Sequence, residues 1–189
     1  MSAQEQYYVD NDKDLLGKMD DYYQQNSSQW LQYFYEGDID TRLAAGDQEA
    51  MYSYIGAAYN QKSRNLASFN KIRPIVNLIT GSQTKNRKTS IVTPQEPEDQ
   101  ETADQLSGVL QWIMINSNGY GQISKAFHGA IVAGINLLQP WLDYSDDPVN
   151  GDIRISHIPF NSFLVDPYFK ELDFSDCNYL WTRKWLSKG

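Results

Sequence analysis

The sequence predicts an α+β fold, with a helical N-terminal part followed by a small mixed, mainly antiparallel sheet that accompanies a helical hairpin. Successive segments up to Ala133 repeat apolar residues at helical spacing. The apolar period then changes to two after Ile135, as in strands with one buried face. The 189 residues allow one substantial core or two small ones. We divide the chain into a helical segment, residues 1–60, and an α+β domain, residues 61–189.

The N-terminal segment has a predominantly helical pattern. Leu15 and Met19 recur at helical spacing, and aromatic residues from Trp30 to Tyr35 repeat it. A serine suits a helix start, and Gly37 is a residue type that commonly ends one. The predicted elements are a loose arm over residues 1–11, a helix over 12–25, a helix from Ser27 or Ser28 to near Gly37, a polar connection over 38–47 and a weaker helix over 48–63.

Residues 69–94 combine an apolar helical row, a basic cluster and a change of period. The row predicts a helix that fades by Lys88, with Pro74 marking its start or a kink, because proline is tolerated only in the first turn. The β-favouring residues of 89–93 then predict a strand that ends at Pro94.

The C-terminal two-thirds predicts a hairpin of helices and then strands. An acid-rich connector after Pro94 leads to a helix that ends near Asn116, and Gly134 suits the C-cap of the next helix. Pro140 predicts an edge or bulged strand, because proline cannot donate to a ladder. The predicted elements are helices over 103–116 and 122–133, a strand over 135–144, a turn over 143–152 with Asn150-Gly151, and strands from 153, over 163–165 and over 178–186, the strands together forming one small sheet.

The charges are segregated along the chain. Residues 1–60, 61–93 and 94–189 carry net charges of −8, +7 and −7. The middle block has no acid, yet seven charges fall short of the strongly basic domain expected of a dedicated DNA-binding protein. We therefore expect it to pair with carboxylates of the same chain or of a neighbouring copy, with DNA as the alternative. The basic cluster consists of Lys62, Arg64, Lys71, Arg73, Lys85, Arg87 and Lys88.

The sequence lacks the common motifs of catalysis, metal binding and nucleotide binding. Cys177 is the single cysteine, His128 and His157 are 29 residues apart, and no glycine-rich phosphate loop is present. The acidic turn after Asp143 does not reproduce calcium-loop spacing, so we interpret it as a solvated turn. We predict no catalytic residues, no metal and no cofactor. No apolar run is long enough to span a membrane, and the chain fits synthesis in the cytoplasm.

From Phe69 onward, the order of elements resembles the portal proteins of short-tailed bacteriophages. The likeness rests on NKIRPIVNLITGSQTKNR, the acid-rich link with ADQLSGVL, SKAFHGAIVAGINLLQPWLDY, GDIRISHIPFNSFLVDP and DFSDCNYLWTRKWLSK, in that order. Residues 1–60 carry little of it. The resemblance implies that residues 61–189 are the first portion of a wing domain and that the chain is a piece of a longer protein.

The resemblance also implies a function. Such proteins form a homo-oligomeric ring, usually of twelve copies, at one capsid vertex, through which DNA is packaged and ejected. Implied partners are the major capsid protein, the terminase, tail or adaptor proteins and double-stranded DNA, in the host cytoplasm during assembly and in the virion afterwards. The alternatives are another head-tail adaptor, which particle images would place below the ring, and a DNA-binding or DNA-processing enzyme, which a nuclease assay would reveal.

Overall fold

The computed structural model describes residues 3–47, 69–96, 99–171 and 173–187, with backbone only for residues 3–11. This part confirms the α+β class, with four α-helices and two small antiparallel sheets. None of its helices combines the length and apolar character needed to cross a membrane. The helices are α1 Ala3–Ala45, α2 Ile72–Lys85, α3 Gln100–Asn116 and α4 Gly119–Ala133; the strands are β1 Leu137–Asp143, β2 Asp152–Ile158, β3 Phe163–Val165 and β4 Leu180–Thr182, with a 3₁₀ turn at Phe160–Ser162.

The chain divides into two compact units. Unit 1 comprises residues 1–36 and 161–189, and unit 2 comprises residues 37–160. The predicted boundary near residue 60 and the predicted helix over 48–63 lie outside the described residues. Each unit therefore has its own packing, described in turn below.

One helix, α1, replaces the loose arm, the two helices and the polar connection predicted for residues 1–47. Neither Ser27 nor Ser28 begins a helix, and Gly37 does not end one. In unit 2, a Cβ on Gly37 would lie only 2.8 Å from the ring of Phe160. Gly37 therefore provides room for a close contact, and this need is invisible to local capping rules.

Gly46 is the glycine that ends α1. Its φ angle is +102°, a conformation that favours glycine. The Gly46 amide donates to Leu43 O at 3.0 Å, and the Asp47 amide donates to Arg42 O at 2.9 Å. These hydrogen bonds close the helix with a left-handed residue and satisfy carbonyls that would otherwise lack partners.

The core of unit 1 is a short ladder covered by aromatic side chains. Phe163, Leu164 and Val165 of β3 have no exposed surface. The indole N–H of Trp30 in α1 donates to Val165 O at 2.9 Å, and its ring lies edge-on to Phe163. Here β3 pairs antiparallel with β4, which is only three residues long, so the strand predicted over 178–186 is shorter than expected.

In unit 2, α2 begins where the sequence predicts. Pro74 is the third helical residue, so it lies in the first turn and the prediction of a helix start is confirmed. The side chain of Asn70 caps the helix, accepting from the amides of Ile72 and Arg73 at 3.1 and 3.0 Å. The helix then packs on α4, with Val76 buried in the contact.

The strand predicted over residues 89–93 is wrong. These residues form a loop without a β-ladder. The amide of Val92 donates instead to Ser107 Oγ in α3 at 2.9 Å. Alternating β-favouring residues make a strand only when another strand offers its edge, and none does so here among the described residues.

The helical hairpin is confirmed. α3 ends at Asn116, and α4 ends before Gly134, whose φ is +87° and whose amide donates to Ala130 O at 2.8 Å. α4 begins three residues earlier than predicted, at Gly119, because Asn118 takes up the left-handed conformation that reverses the chain. The two helices therefore follow one another with a minimal connection.

The strands form two separate two-stranded sheets, so the prediction of one sheet is wrong. In unit 2, β1 pairs antiparallel with β2, and Pro140 lies opposite Ile155. A two-stranded ladder consists only of edge strands, which explains why proline is tolerated there and confirms that interpretation. In the connecting turn, Gly151 alone of the predicted Asn150-Gly151 pair has a positive φ, +70°.

Replacing Gly46 with alanine should destabilise unit 2 by about 1 kcal/mol, because a Cβ is disfavoured at positive φ. Urea unfolding followed by circular dichroism would measure the loss. Gly81→Ala is the matched control in α2, where a Cβ would meet no atom within 4 Å. Its higher helix propensity should stabilise by roughly 0.5–1 kcal/mol. Equal effects of the two changes would contradict the role assigned to Gly46.

Candidate functional site

The described part of the basic cluster surrounds α2. Lys71 precedes the helix, Arg73 lies in its first turn and Lys85 is its last residue. Arg87 and Lys88 follow in the loop. All five are exposed, whereas Lys62 and Arg64 lie outside the described residues.

These five cations form no salt bridge with the carboxylates of the described ranges. The guanidinium of Arg87 lies 5.6 Å from the ring centre of Tyr120, a cation–π contact. Lys85 at the last helical turn is favourably placed beside the negative end of the helix dipole. The positive charge of α2 thus faces outward without a carboxylate from the described part of the chain.

A cavity of about 720 Å³ lies beside the cluster in unit 2. Four basic side chains contribute to it: Arg73, Lys125, His128 and His157. No aspartate or glutamate is among the described lining residues, so the cavity is positively biased. Its other described residues are Thr41, Ala44, Ala45, Val76, Asn77, Ser124, Gly129, Val132, Ala133, Asn136, Pro159 and Phe160.

The two histidines, far apart in the sequence, line this same cavity. His128 is exposed, whereas His157 is partly buried and its Nε2 donates to Asn136 Oδ1 at 2.7 Å. Burial, and secondarily the charge of Lys125, lower the pKa of His157. The Asn136 amide also lies against Gly129, where a Cβ would approach its nitrogen to 2.5 Å. Burial and the charge of Lys125 thus disfavour protonation of His157.

The acidic turn is organised by Arg154, a residue whose role the sequence analysis missed. The guanidinium contacts Asp143, Asp146 and Asp152 at 3.7, 3.3 and 3.6 Å. Its Nη1 also donates to Asn116 O at the end of α3, at 3.0 Å. A clue was available, since β2 begins beside the acids and places an arginine two residues after Asp152. Arg154 therefore ties the turn to the helical hairpin.

The remaining hydrogen bonds of the turn are local. Asp147 accepts from the Asn150 side chain and from the amides of Val149 and Asn150, which together lower its pKa. The Ser145 hydroxyl, followed by its amide, lowers the pKa of Asp143. The described residues contain no group of three or more metal-ligating side chains. The geometry is that of a turn stabilised by its own donors.

The aromatic strand of unit 1 has two environments. Tyr179 and Trp181 lie 5.4 and 5.7 Å from the rings of Tyr22 and Tyr23 in α1, between ring centres. Trp185, in contrast, is fully exposed. The first two rings therefore pack against α1, whereas Trp185 does not share this environment.

Asp166, in the Asp-Pro pair, stabilises the chain segment that links β3 to β4. It is 2% exposed and accepts from the Tyr168 amide at 3.0 Å and from Asn178 Nδ2 at 2.8 Å. The Tyr168 amide, followed by the Asn178 side chain, lowers its pKa. This carboxylate serves as a structural acceptor within unit 1.

The amino-acid sequence matches a known family. The family model described as phage P22-like portal protein covers residues 20–189. The chain belongs to this portal protein family. The match begins well before Phe69, so residues 20–60 carry more of the likeness than their sequence suggested. A search of the curated proteins found no match.

This match confirms the family expected from the sequence. Portal proteins are structural components of the virion. Two features of the described residues that face outward are the basic cluster around α2 and the cavity beside it. The acidic turn and Asp166, by contrast, are occupied by contacts within the chain. A functional surface is therefore to be sought around α2.

Replacing Arg154 with methionine should lower the free energy of unfolding by about 2 kcal/mol, because three carboxylates lose their shared cation and Asn116 O loses a donor. Urea unfolding would measure the change. Lys88→Met is the control, since Lys88 is exposed and forms no salt bridge in the described residues. It should remain within about 0.5 kcal/mol of the parent. A neutral Arg154→Met would mean that the turn holds without the arginine.

Lowering the pH from about 7 to about 5 should reduce stability through His157. Its folded pKa lies below the unfolded value near 6.5, so the unfolded chain binds the proton more readily as the pH falls. The contribution is intact above the unfolded pKa and is lost below it. Thermal melts of the parent and of His157→Gln should show a shallower decline in the variant over this range. Equal slopes in the two proteins would refute the assignment.

Proposed function

We propose that this portal chain forms part of a ring at one vertex of the capsid, through which the genome is packaged and later ejected. The match to the portal family over residues 20–189 is the observation that carries this proposal. The ring would contain twelve copies, with the major capsid protein, terminase, tail components and DNA as partners. It would assemble in the host cytoplasm and persist in the virion, with residues 61–189 as the first portion of a wing domain.

A structural role without catalysis fits the geometry of the acidic groups. Arg154 contacts three of the carboxylates in the acidic turn, and Asn150 holds the fourth, Asp147. Both Tyr168 and Asn178 donate to Asp166. Carboxylates engaged in this way serve the fold of their own unit, which supports assembly and not turnover as the role of the chain.

The basic cluster is proposed to act between copies of the chain. Its five described members find no carboxylate partner in the described ranges, while residues 94–189 carry a net charge of −7. In a head-to-tail ring, the basic side of one copy meets the acidic side of the next. DNA must slide through a portal, and tight phosphate contacts would hinder this and make binding steeply salt-dependent.

Electron microscopy of particles made with the intact gene product tests the proposed function. A gold or antibody label on the protein should mark a single vertex and coincide with a ring in averaged images. Particles that lack the protein should contain no packaged DNA. Labels spread over the whole shell, or rings found only below the vertex, would overturn the proposal, the second outcome favouring a head-tail adaptor.

Reversing Lys85, Arg87 and Lys88 to glutamate should abolish ring assembly or make it strongly salt-sensitive, because the cluster would then repel the acidic neighbour. Sizing with mass detection would measure assembly, and nuclease-protected DNA would measure packaging separately. The control reverses three exposed lysines elsewhere, Lys13, Lys170 and Lys184. Intact rings that fail only in packaging or ejection would show that the cluster contacts DNA.

A further inference from the structure

The outward side of α2 carries a contiguous apolar row. Ile72, Ile75, Leu78 and Ile79 are 46%, 58%, 74% and 43% exposed, whereas Val76 is buried against α4. At 100° per residue, the four exposed side chains share one sector of the helix, beside the sector that faces α4. An apolar patch of this kind on a folded surface marks an interaction site.

The outward side of α3 carries a second row. Leu106, Val109 and Trp112 are 48%, 52% and 52% exposed and follow one another at three-residue intervals. The buried residues of α3 are Ala103, Ser107 and Ile113. Ala103 and Ser107 lie beside the row, and Ile113 lies next to Val109 and Trp112 at its C-terminal edge. Each of the two helices packs against α4, and no substantial contact joins α2 to α3 in the described part of unit 2. The two rows therefore do not cover one another.

The charges that border the rows have opposite signs. Lys71 and Lys85 bracket the row on α2, and residues 61–93 contain no acid. Asp99 and Glu101 stand at the start of α3, and residues 89–124 contain no lysine or arginine. The charged residues of each helix itself are thus of a single sign, basic on α2 and acidic on α3.

We infer that the α2 row of one copy packs against the α3 row of the next copy. Pairing α2 with α2 would oppose lysines, and pairing α3 with α3 would oppose carboxylates, so both self-complementary contacts are disfavoured. The α2–α3 pairing joins opposite charges around two apolar centres. It is a head-to-tail contact, which closes into a ring when the rotation between copies permits. The inference rests on the proposed function, since it names the surfaces through which the portal copies would meet.

The contact is one part of a larger interface. A helix of 14 residues is about 21 Å long, and a single helix-on-helix contact covers less than the roughly 800 Å² per partner of a standard interface. The chain on its own should therefore associate weakly and reversibly through these rows. Covalent trapping is accordingly a better probe than the size of the free protein.

Disulfide trapping between copies tests the pairing. In a Cys177→Ser background, Leu78→Cys places a thiol on the α2 row and Val109→Cys places one on the α3 row. Each variant alone should give little disulfide-linked dimer, an equal mixture should give several-fold more, and a chain carrying both should form a ladder on non-reducing gels. Val149→Cys, at an exposed position in the hairpin turn, replaces Val109→Cys in the control mixture and should give no increase.

A charge exchange provides the second measurement. In the Leu78→Cys chain, Lys71 and Lys85 are reversed to glutamate; in the Val109→Cys chain, Asp99 and Glu101 are reversed to lysine. Either reversed chain mixed with an unreversed partner should lose most of the mixed dimer, and the two reversed chains together should recover it. Each chain must first show the parental circular dichroism spectrum. We expect this because all the residues substituted in addition to Cys177 are exposed.

The outcomes separate the interface from the function. Dimers from Leu78→Cys alone would indicate an α2–α2 contact. An absence of mixed dimer would indicate that the rows are covered by another segment of the protein or by a different partner. Either result overturns the pairing. If the pairing fails while labelled rings still occupy one vertex, the proposed function stands and only the surfaces are wrong. A ladder without vertex labelling would leave the pairing intact and refute the function.

Discussion

Close packing against α4 is the constraint on which unit 2 depends. This helix contacts α2, α3 and both strands of the β1–β2 hairpin. Such crowding needs small residues, and Ala126 and Ala133 are buried in it. At Gly119, a Cβ would lie 2.8 Å from Met114 Sδ and 3.3 Å from Ile155 Cδ1. Because well-packed interiors tolerate little added volume, larger side chains at these positions would push neighbouring elements apart.

The same packing decides what α2 and α3 present to the outside. Each helix uses one side on α4, so its second apolar row is left exposed, with lysines beside one row and carboxylates beside the other. An isolated protein gains nothing from two such rows, whereas an assembly of identical chains can bury both in one repeated contact. The basic and acidic segments of the sequence are thereby placed on two different helices, α2 and α3.

Unit 1 depends on a different interaction, the placement of aromatic side chains of α1 over a three-residue ladder. The ladder is too short to be stable on its own. Trp30 supplies both a hydrogen bond to Val165 and ring contact with Phe163, while the Arg183 guanidinium lies 5.0 Å from the ring centre of Phe34. Asp166 then holds the following loop through backbone and side-chain donors. Long-range aromatic contacts thus compensate for minimal strand pairing.

The sequence alone determined the features whose causes are local. The apolar period and nearby turn residues predicted α2 with Pro74 near its start, α3 to near Asn116 and the end of α4 at Gly134, because helix propensity and capping act within a few residues. The basic cluster and the order of motifs that indicates a portal protein were likewise identified from the amino-acid sequence. The structure places the described cluster members around α2 and adds that they lack carboxylate partners in the described part.

Only the tertiary structure decided the features that depend on a distant partner. Gly37 is a residue type that commonly ends a helix, but here it gives room to the ring of Phe160, and α1 continues to Ala45. Residues 89–93 favour a strand by type, yet no neighbouring strand in the described residues offers an edge, and Ser107 of α3 takes the amide of Val92 instead. Arg154 reaches carboxylates and a helix end that only the folded hairpin brings together. In each case a contact between residues remote in the chain outweighs local preferences, which differ by only about 1 kcal/mol per residue.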